Sequence, residues 1–297
     1  MATLTAVTSA ALVARKNTVL PLLGVMAAAC SNVILDYVLV GILGMGVAGA
    51  AYATSISQFV CATIVITATV KRRHIDGFGS WKYCKSISMY AAPIIFVTTS
   101  VLSIFSALII VANQISVTTS AAHRVLGSLF SITSLCGDPL MQAAQAFLPV
   151  YLLNNDRRSV KKLLSLILAI GLSFSIIAGT ACLAVAQYFP FIFTIDASVI
   201  QEIRRVLPIF SVASFVVIPC KILYGVALAA KELGFLTILV VTGTAIFMGQ
   251  LTLLLRSGTG GYGALWGILS LYYIIAIISL RARFSNLPLI GRDKQQW

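Results

Sequence analysis

Long apolar runs alternate with short polar or glycine-rich joints along this chain, at roughly 18–43, 45–70, 86–112, 121–153, 162–190, 201–229, 233–256 and 260–281. A transmembrane helix needs about 20 apolar residues, so the pattern predicts eight spans and an all-α polytopic membrane protein. Several runs exceed the minimum, which predicts tilt or emergence into water. The stretch from Met1 to Lys16 is rich in Ala, Thr and Ser and its apolar part is too short to span, so it reads as the end of a preceding helix rather than as a targeting peptide. Beyond Arg281 the chain carries Pro288 and several charges and reads as a solvated tail.

Composition strengthens this picture. Of 297 residues, 59% are hydrophobic and 10% charged, against about 45–50% and about 25% in soluble domains. No length remains for a soluble catalytic domain, and the chain is not expected to be an enzyme. A net charge of +13 would suggest a nucleic-acid partner in a soluble protein. In a polytopic chain, Lys and Arg instead collect in the loops that stay on the cytoplasmic side. With the joints placed alternately on two sides, sixteen of the 21 basic residues fall on one side and three on the other, leaving Arg124 and Lys221 inside spans. This split supports an even number of spans with both termini on the cytosol-like side, a lipid bilayer as the surrounding partner, and no nucleic acid. The six cysteines are widely separated, without metal or CxxC spacing, and read as small apolar helix residues.

Two glycine motifs stand at joints. Gly44-Met45-Gly46-Val47-Ala48-Gly49 matches the dinucleotide fingerprint, but it joins two long apolar runs rather than a strand and a helix, so a tight interhelical turn is the better account. Gly260-Gly261-Tyr262-Gly263-Ala264 shares the Gly-x-x-Gly-Ala pattern of Gly46 to Ala50, at the last joint as at the first. An even number of helices separates the two, which implies a parallel duplication about an axis along the membrane normal.

Ionisable groups inside the spans are few, and in a membrane interior such groups mark ion or substrate paths by default. Asn32 precedes Asp36 by one helical turn, so both can face one site, where a carboxylate and an amide oxygen could hold a proton or a small cation. Asp138 follows Gly137 and precedes Pro139, a combination that predicts a local helix break, and Gln142 and Gln145 continue its face. Lys221 is the expected counter-charge, either as part of a functional site or as a structural ion pair. His123 lies near the start of its span, as a helix-start residue or a proton relay.

The segments Asn32 to Asp36, Gly44 to Gln58, Ala121-Ala122-His123-Arg124-Val125 and Gly137 to Pro149 together resemble the multidrug and toxic compound extrusion (MATE) family, and within it the plant DETOXIFICATION branch with plastid members. The resemblance implies a twelve-helix transporter of two six-helix lobes, exporting organic compounds in antiport with H⁺ or Na⁺. No other cofactor is implied. The eight spans would be helices five to twelve of an N-terminally truncated chain. Residues 1–73 would then be an N-lobe remnant of two transmembrane helices, 74–85 a basic linker, 86–282 a six-helix C-lobe and 283–297 a polar tail.

By the same resemblance, Asn32, Asp36 and Thr54 occupy the family's N-lobe cation site. Asp138, Gln142, Gln145, Lys221 and His123 would line the substrate path. A further Asp of the cation site normally comes from helix one, which the resemblance places before Met1, and the acid many relatives carry in helix seven has no counterpart from Ser86 to Ala112. A monomer in the plastid envelope is the expected assembly and location. Two rival readings stand beside this one: a non-transporting or regulatory remnant, and an intramembrane aspartyl protease suggested by Asp36-Tyr37 and Gly137-Asp138. The protease signature, however, asks for a glycine where Leu135 stands.

Overall fold

A computed structural model describes residues 2–14, 17–71, 81–257 and 261–285. Among the described residues the chain is helical with no strand, running α1 (Ala2–Ala14), α2 (Val19–Asp36), a π-helical segment (Tyr37–Ile42), α3 (Gly46–Lys71), α4 (Trp81–Ile115), α5 (Val117–Leu135), α6 (Asp138–Leu153), α7 (Arg157–Tyr188), α8 (Ala197–Ala229), α9 (Leu233–Ser257) and α10 (Tyr262–Ser285). Seven of these helices, counting α2 with its π-helical continuation, are long and apolar enough to cross a bilayer. The fourth expected span is not among these seven: that stretch is divided between α5 and α6, parted at Cys136 and Gly137 where the Gly-Asp-Pro run predicts a break. The basic joint falls mostly outside the described residues, as do the tail beyond Ser285 and the first glycine of the later Gly-x-x-Gly-Ala repeat.

Helix ends follow local chemistry. Ser116, extended at φ −167°, caps α5 by accepting the Thr119 amide at 2.9 Å, and Asp156 and Asp196 cap α7 and α8 through the amides of Ser159 and Ser198 at 3.1 and 2.8 Å. Between the π-helical segment and α3, Gly44 and Gly46 adopt φ +63° and +55°. Only glycine takes that conformation without cost, which explains the motif as a turn.

The chain forms two compact units, residues 1–84 and 85–297. In the first, α1 and α2 pack on α3, with Leu12, Cys61 and Val65 at the centre. In the second, α8 is the axis: it packs against α5, α6, α7 and α10. Its Phe210 meets Trp266 of α10 edge to face at 4.8 Å, with Phe130 of α5 at 5.6 Å on the same indole. Helices come close where side chains are smallest, since membrane helices associate by close packing rather than by exclusion of water. A Cβ built on Gly225 of α8 would stand 2.6 Å from the Met141 carbonyl oxygen of α6. The outward faces are apolar, with Ile177, Ile238 and Ile278 exposed to the surrounding medium, as a lipid solvent requires.

Candidate functional site

In the first unit, Asn32 Nδ2 donates to Asp36 Oδ2 at 2.9 Å, one turn apart on α2. The Asn32 Oδ1 atom accepts from Ser57 Oγ of α3 at 3.1 Å, so three polar side chains form a row across two helices. Ser57 is only 4% exposed, and its hydroxyl also lies 2.9 Å from the Thr54 carbonyl oxygen of its own helix. The second carboxylate oxygen, Asp36 Oδ1, is buried without a hydrogen-bond partner. An ionised oxygen left so is costly, because nothing replaces the water it has lost. Asp36 is also the last α-helical residue before the π-helical segment, in which Leu43 N bonds Val38 O at 2.9 Å. Irregular turns of this kind are frequent at functional sites.

Thr54 stands on the same helix as Ser57, but its hydroxyl donates to the Ala50 carbonyl at 2.9 Å and its side chain is exposed. Asn32 and Asp36 are therefore brought together as the spacing indicates, while the hydroxyl that joins them is that of Ser57. Ser57 follows Thr54 by about one turn, so the signal was a second hydroxyl on a shared face. Which of the two reaches α2 depends on how α2 and α3 pack, which spacing along one helix does not encode.

In the second unit, Lys221 Nζ of α8 meets Asp138 Oδ1 at 2.6 Å and donates to the Ser134 carbonyl of α5 at 3.0 Å. The ammonium thus bridges the break between α5 and α6, pairing the carboxylate at the start of α6 and adding a second donor to the Ser134 carbonyl, which already accepts the Gly137 amide at 3.0 Å. Gln142 is exposed and Gln145 half-buried on α6. Asp36 thus bonds to a neutral amide and Asp138 to an ammonium, each within its own unit.

His123 is 6% exposed, inside the bundle rather than at its edge. Its ring lies 5.5 Å from Trp266 and 6.0 Å, edge to face, from Tyr262. Its Nδ1, the Tyr262 hydroxyl and the Trp266 Nε1 are all buried without hydrogen-bond partners. No group of three or more His, Cys, Asp or Glu that could hold a metal occurs among the described residues.

A helical bundle of apolar spans with sparse buried charges is the architecture of a multi-pass integral membrane protein, and comparison places it more narrowly. The fold matches a eukaryotic MATE transporter, AtDTX14, with a TM-score of 0.77 at 16% identity, over 92% of this chain and 63% of that one. It matches a Vibrio cholerae MATE transporter, VcmN, with a TM-score of 0.76 at 18% identity, over 96% and 67%. In sequence the chain is 31% identical over 265 residues to Protein DETOXIFICATION 47, chloroplastic, of Arabidopsis thaliana, covering 86% of this chain and 48% of that protein. It is 26% identical over 197 residues to human Multidrug and toxin extrusion protein 2, covering 62% and 31%. No family model matches.

The chain therefore has the fold of MATE transporters and is similar in sequence, over most of its length, to DETOXIFICATION proteins. It spans about half the length of the curated relatives it matches.

Proposed function

We propose that the chain works in the export of organic compounds across a membrane in exchange for H⁺, with Asp36 as the group that takes up the proton. Residues 1–73 contribute to the N-lobe of that transporter and residues 86–282 form its C-lobe. The chloroplastic names of two relatives support a plastid membrane. The observation that carries the reading is the setting of the Asp36 carboxylate: one oxygen is held by a neutral amide, the other is buried and unpartnered, and it forms no ion pair among the described residues. A neutral carboxylic acid would need no counter-charge in such a place.

The orientation of Asn32 favours H⁺ over Na⁺. A sodium ion needs several oxygen ligands converging on it. Here Asn32 turns its N–H toward Asp36 and commits its oxygen to Ser57, while the Thr54 hydroxyl is engaged with its own helix. In the second unit Asp138 is neutralised by Lys221, which suits a fixed wall of the substrate path, with Gln142 and Gln145 further along α6, better than a coupling site. The test is transport in liposomes. The chain, reconstituted with an imposed pH gradient, is expected to drive the flux of fluorescent organic dyes that a Na⁺ gradient does not drive, and Asp36→Asn is expected to reduce that flux to the leak rate. Flux that follows the Na⁺ gradient, that survives Asp36→Asn, or that never exceeds leak overturns the proposal.

A further inference from the structure

The row Asp36, Asn32, Ser57 has a direction. As it stands, Asn32 directs its Nδ2–H to Asp36 Oδ2 at 2.9 Å and offers its Oδ1 to Ser57 Oγ at 3.1 Å, whose single hydrogen has that oxygen and the Thr54 carbonyl within reach. This is the arrangement an anion at Asp36 demands, since a carboxylate only accepts. A proton has two places to go. Oδ1 is buried and takes part in no hydrogen bond. On Oδ2 the proton meets the Asn32 amide, which offers an acceptor once it turns over, so Oδ2 is the seat in which the new donor is satisfied.

That turn has a consequence one helix away. With Asn32 Oδ1 facing the protonated carboxyl, its Nδ2 faces Ser57, whose hydroxyl must stop donating there and accept instead. Its own hydrogen then needs a new acceptor, and one is already in place: the Thr54 carbonyl, 2.9 Å from Ser57 Oγ. A hydroxyl can make this exchange by rotation about one bond, without moving its oxygen. Ser57 is buried, so water does not offer a substitute partner. Resting on the reading of Asp36 as a proton-accepting group, we infer that Ser57 is a positioning residue whose hydroxyl reverses from Asn32 to the Thr54 carbonyl when Asp36 is protonated, so that α3 registers the charge state of α2. The proton that enters stays on Asp36 Oδ2, and the other two side chains exchange donor and acceptor roles with no net transfer.

Thr54, assigned by resemblance to the site itself, takes part here through its backbone oxygen. The row also separates Ser57 from the other hydroxyls of α3, because Thr54, Ser55 and Thr63 donate only to carbonyls of their own helix.

The experiment is infrared difference spectroscopy, acid minus alkaline, on the full chain in lipid bilayers with side-chain ¹⁵N-labelled asparagine. The wild type is expected to show a carboxylic C=O band together with a label-sensitive amide band, and Asp36→Asn removes both. Ser57→Thr, which keeps the hydroxyl, retains both bands. Ser57→Val, of the same shape as threonine, keeps the carboxyl band and shifts the labelled amide band away from its wild-type frequency, because the amide then turns with no hydroxyl to exchange roles with it. Ser57→Ala repeats the test with a smaller side chain, should the branched valine disturb the packing of α2 on α3. An amide band that stays at its wild-type frequency in both Ser57→Val and Ser57→Ala, or that is missing from a wild type whose Asp36 band is present, overturns the role of Ser57 while leaving the proton site standing. Absence of any carboxyl band that depends on Asp36 overturns the proton site, and the inference with it.

Discussion

Two aspartates sit in apolar spans of this molecule, each at a helix irregularity, and they are handled in opposite ways. Asp36 precedes a π-helical segment and faces an amide, with one oxygen unpartnered. Asp138 follows the break between α5 and α6 and faces an ammonium at 2.6 Å. The difference is one of charge. Ionised Asp36 has only neutral hydrogen-bonding neighbours among the described residues, whereas Asp138 belongs to a pair that is neutral as a whole. An interior carboxylate becomes switchable when its partners are neutral and able to reverse, and it becomes structural when its partner is a fixed cation.

The contrast is broken most forcefully by removing the cation. Lys221→Met leaves Asp138 uncompensated, a defect that costs about 3–5 kcal/mol at a fully buried pair. The lower end is expected here, because 24% and 33% of the two side chains are exposed. Thermal unfolding in nanodiscs should show the loss, and Asp138→Leu in the Lys221→Met background should recover most of it. Asp36→Asn strands no counter-charge and should stay within about 1 kcal/mol of wild type. A loss as large as that of Lys221→Met would erase the distinction between the two sites.

A smaller effect tests the frame that holds the ion pair. Gly225→Ala places a methyl against the Met141 carbonyl and forces α8 from α6, at about 1–3 kcal/mol of overpacking. The same assay should register this as a lower Tm. The smallest effect belongs to the exposed caps. Hydrogen bonds from Ser159 and Ser198 hold the Asp156 and Asp196 carboxyls below their usual range. The folded-state values therefore lie below the unfolded ones. Their contribution is complete above the unfolded carboxylate value of about 3.9 and disappears as pH falls through the folded value. A shallow fall of Tm on acidification is expected, reduced in Asp196→Ala.

Much of this was legible in the sequence for identifiable reasons. The apolar runs fixed the spans because lipid demands continuous helices, and the Gly-Asp-Pro sequence marked the break because proline removes a donor where glycine relaxes the backbone. Asn32 and Asp36 could be placed on one face because helical spacing is local. Ser57 and the π-helical segment were not legible, since one depends on the packing of α2 on α3 and the other on an i to i+5 bond that no residue pattern announces. His123 lies near a helix start as its position indicates, in the second turn of α5, but its neighbours Trp266 and Tyr262 were not legible, because they stand about 140 positions away and only the closure of α10 on the bundle brings them to it.

The bridge by which Lys221 joins α8 to the α5–α6 break also sets a schedule for biogenesis. Asp138 and Lys221 are 83 residues apart in the chain. At about 5–20 residues per second of synthesis, the aspartate leaves the ribosome several seconds before its partner exists. During that interval α6 holds a carboxylate with nothing to neutralise it, so its stable place in the bilayer depends on a helix made two spans later. The order of translation thus makes α8 a late keystone of its unit, and a pause or truncation before Lys221 would leave α6 as the first element available to membrane quality control.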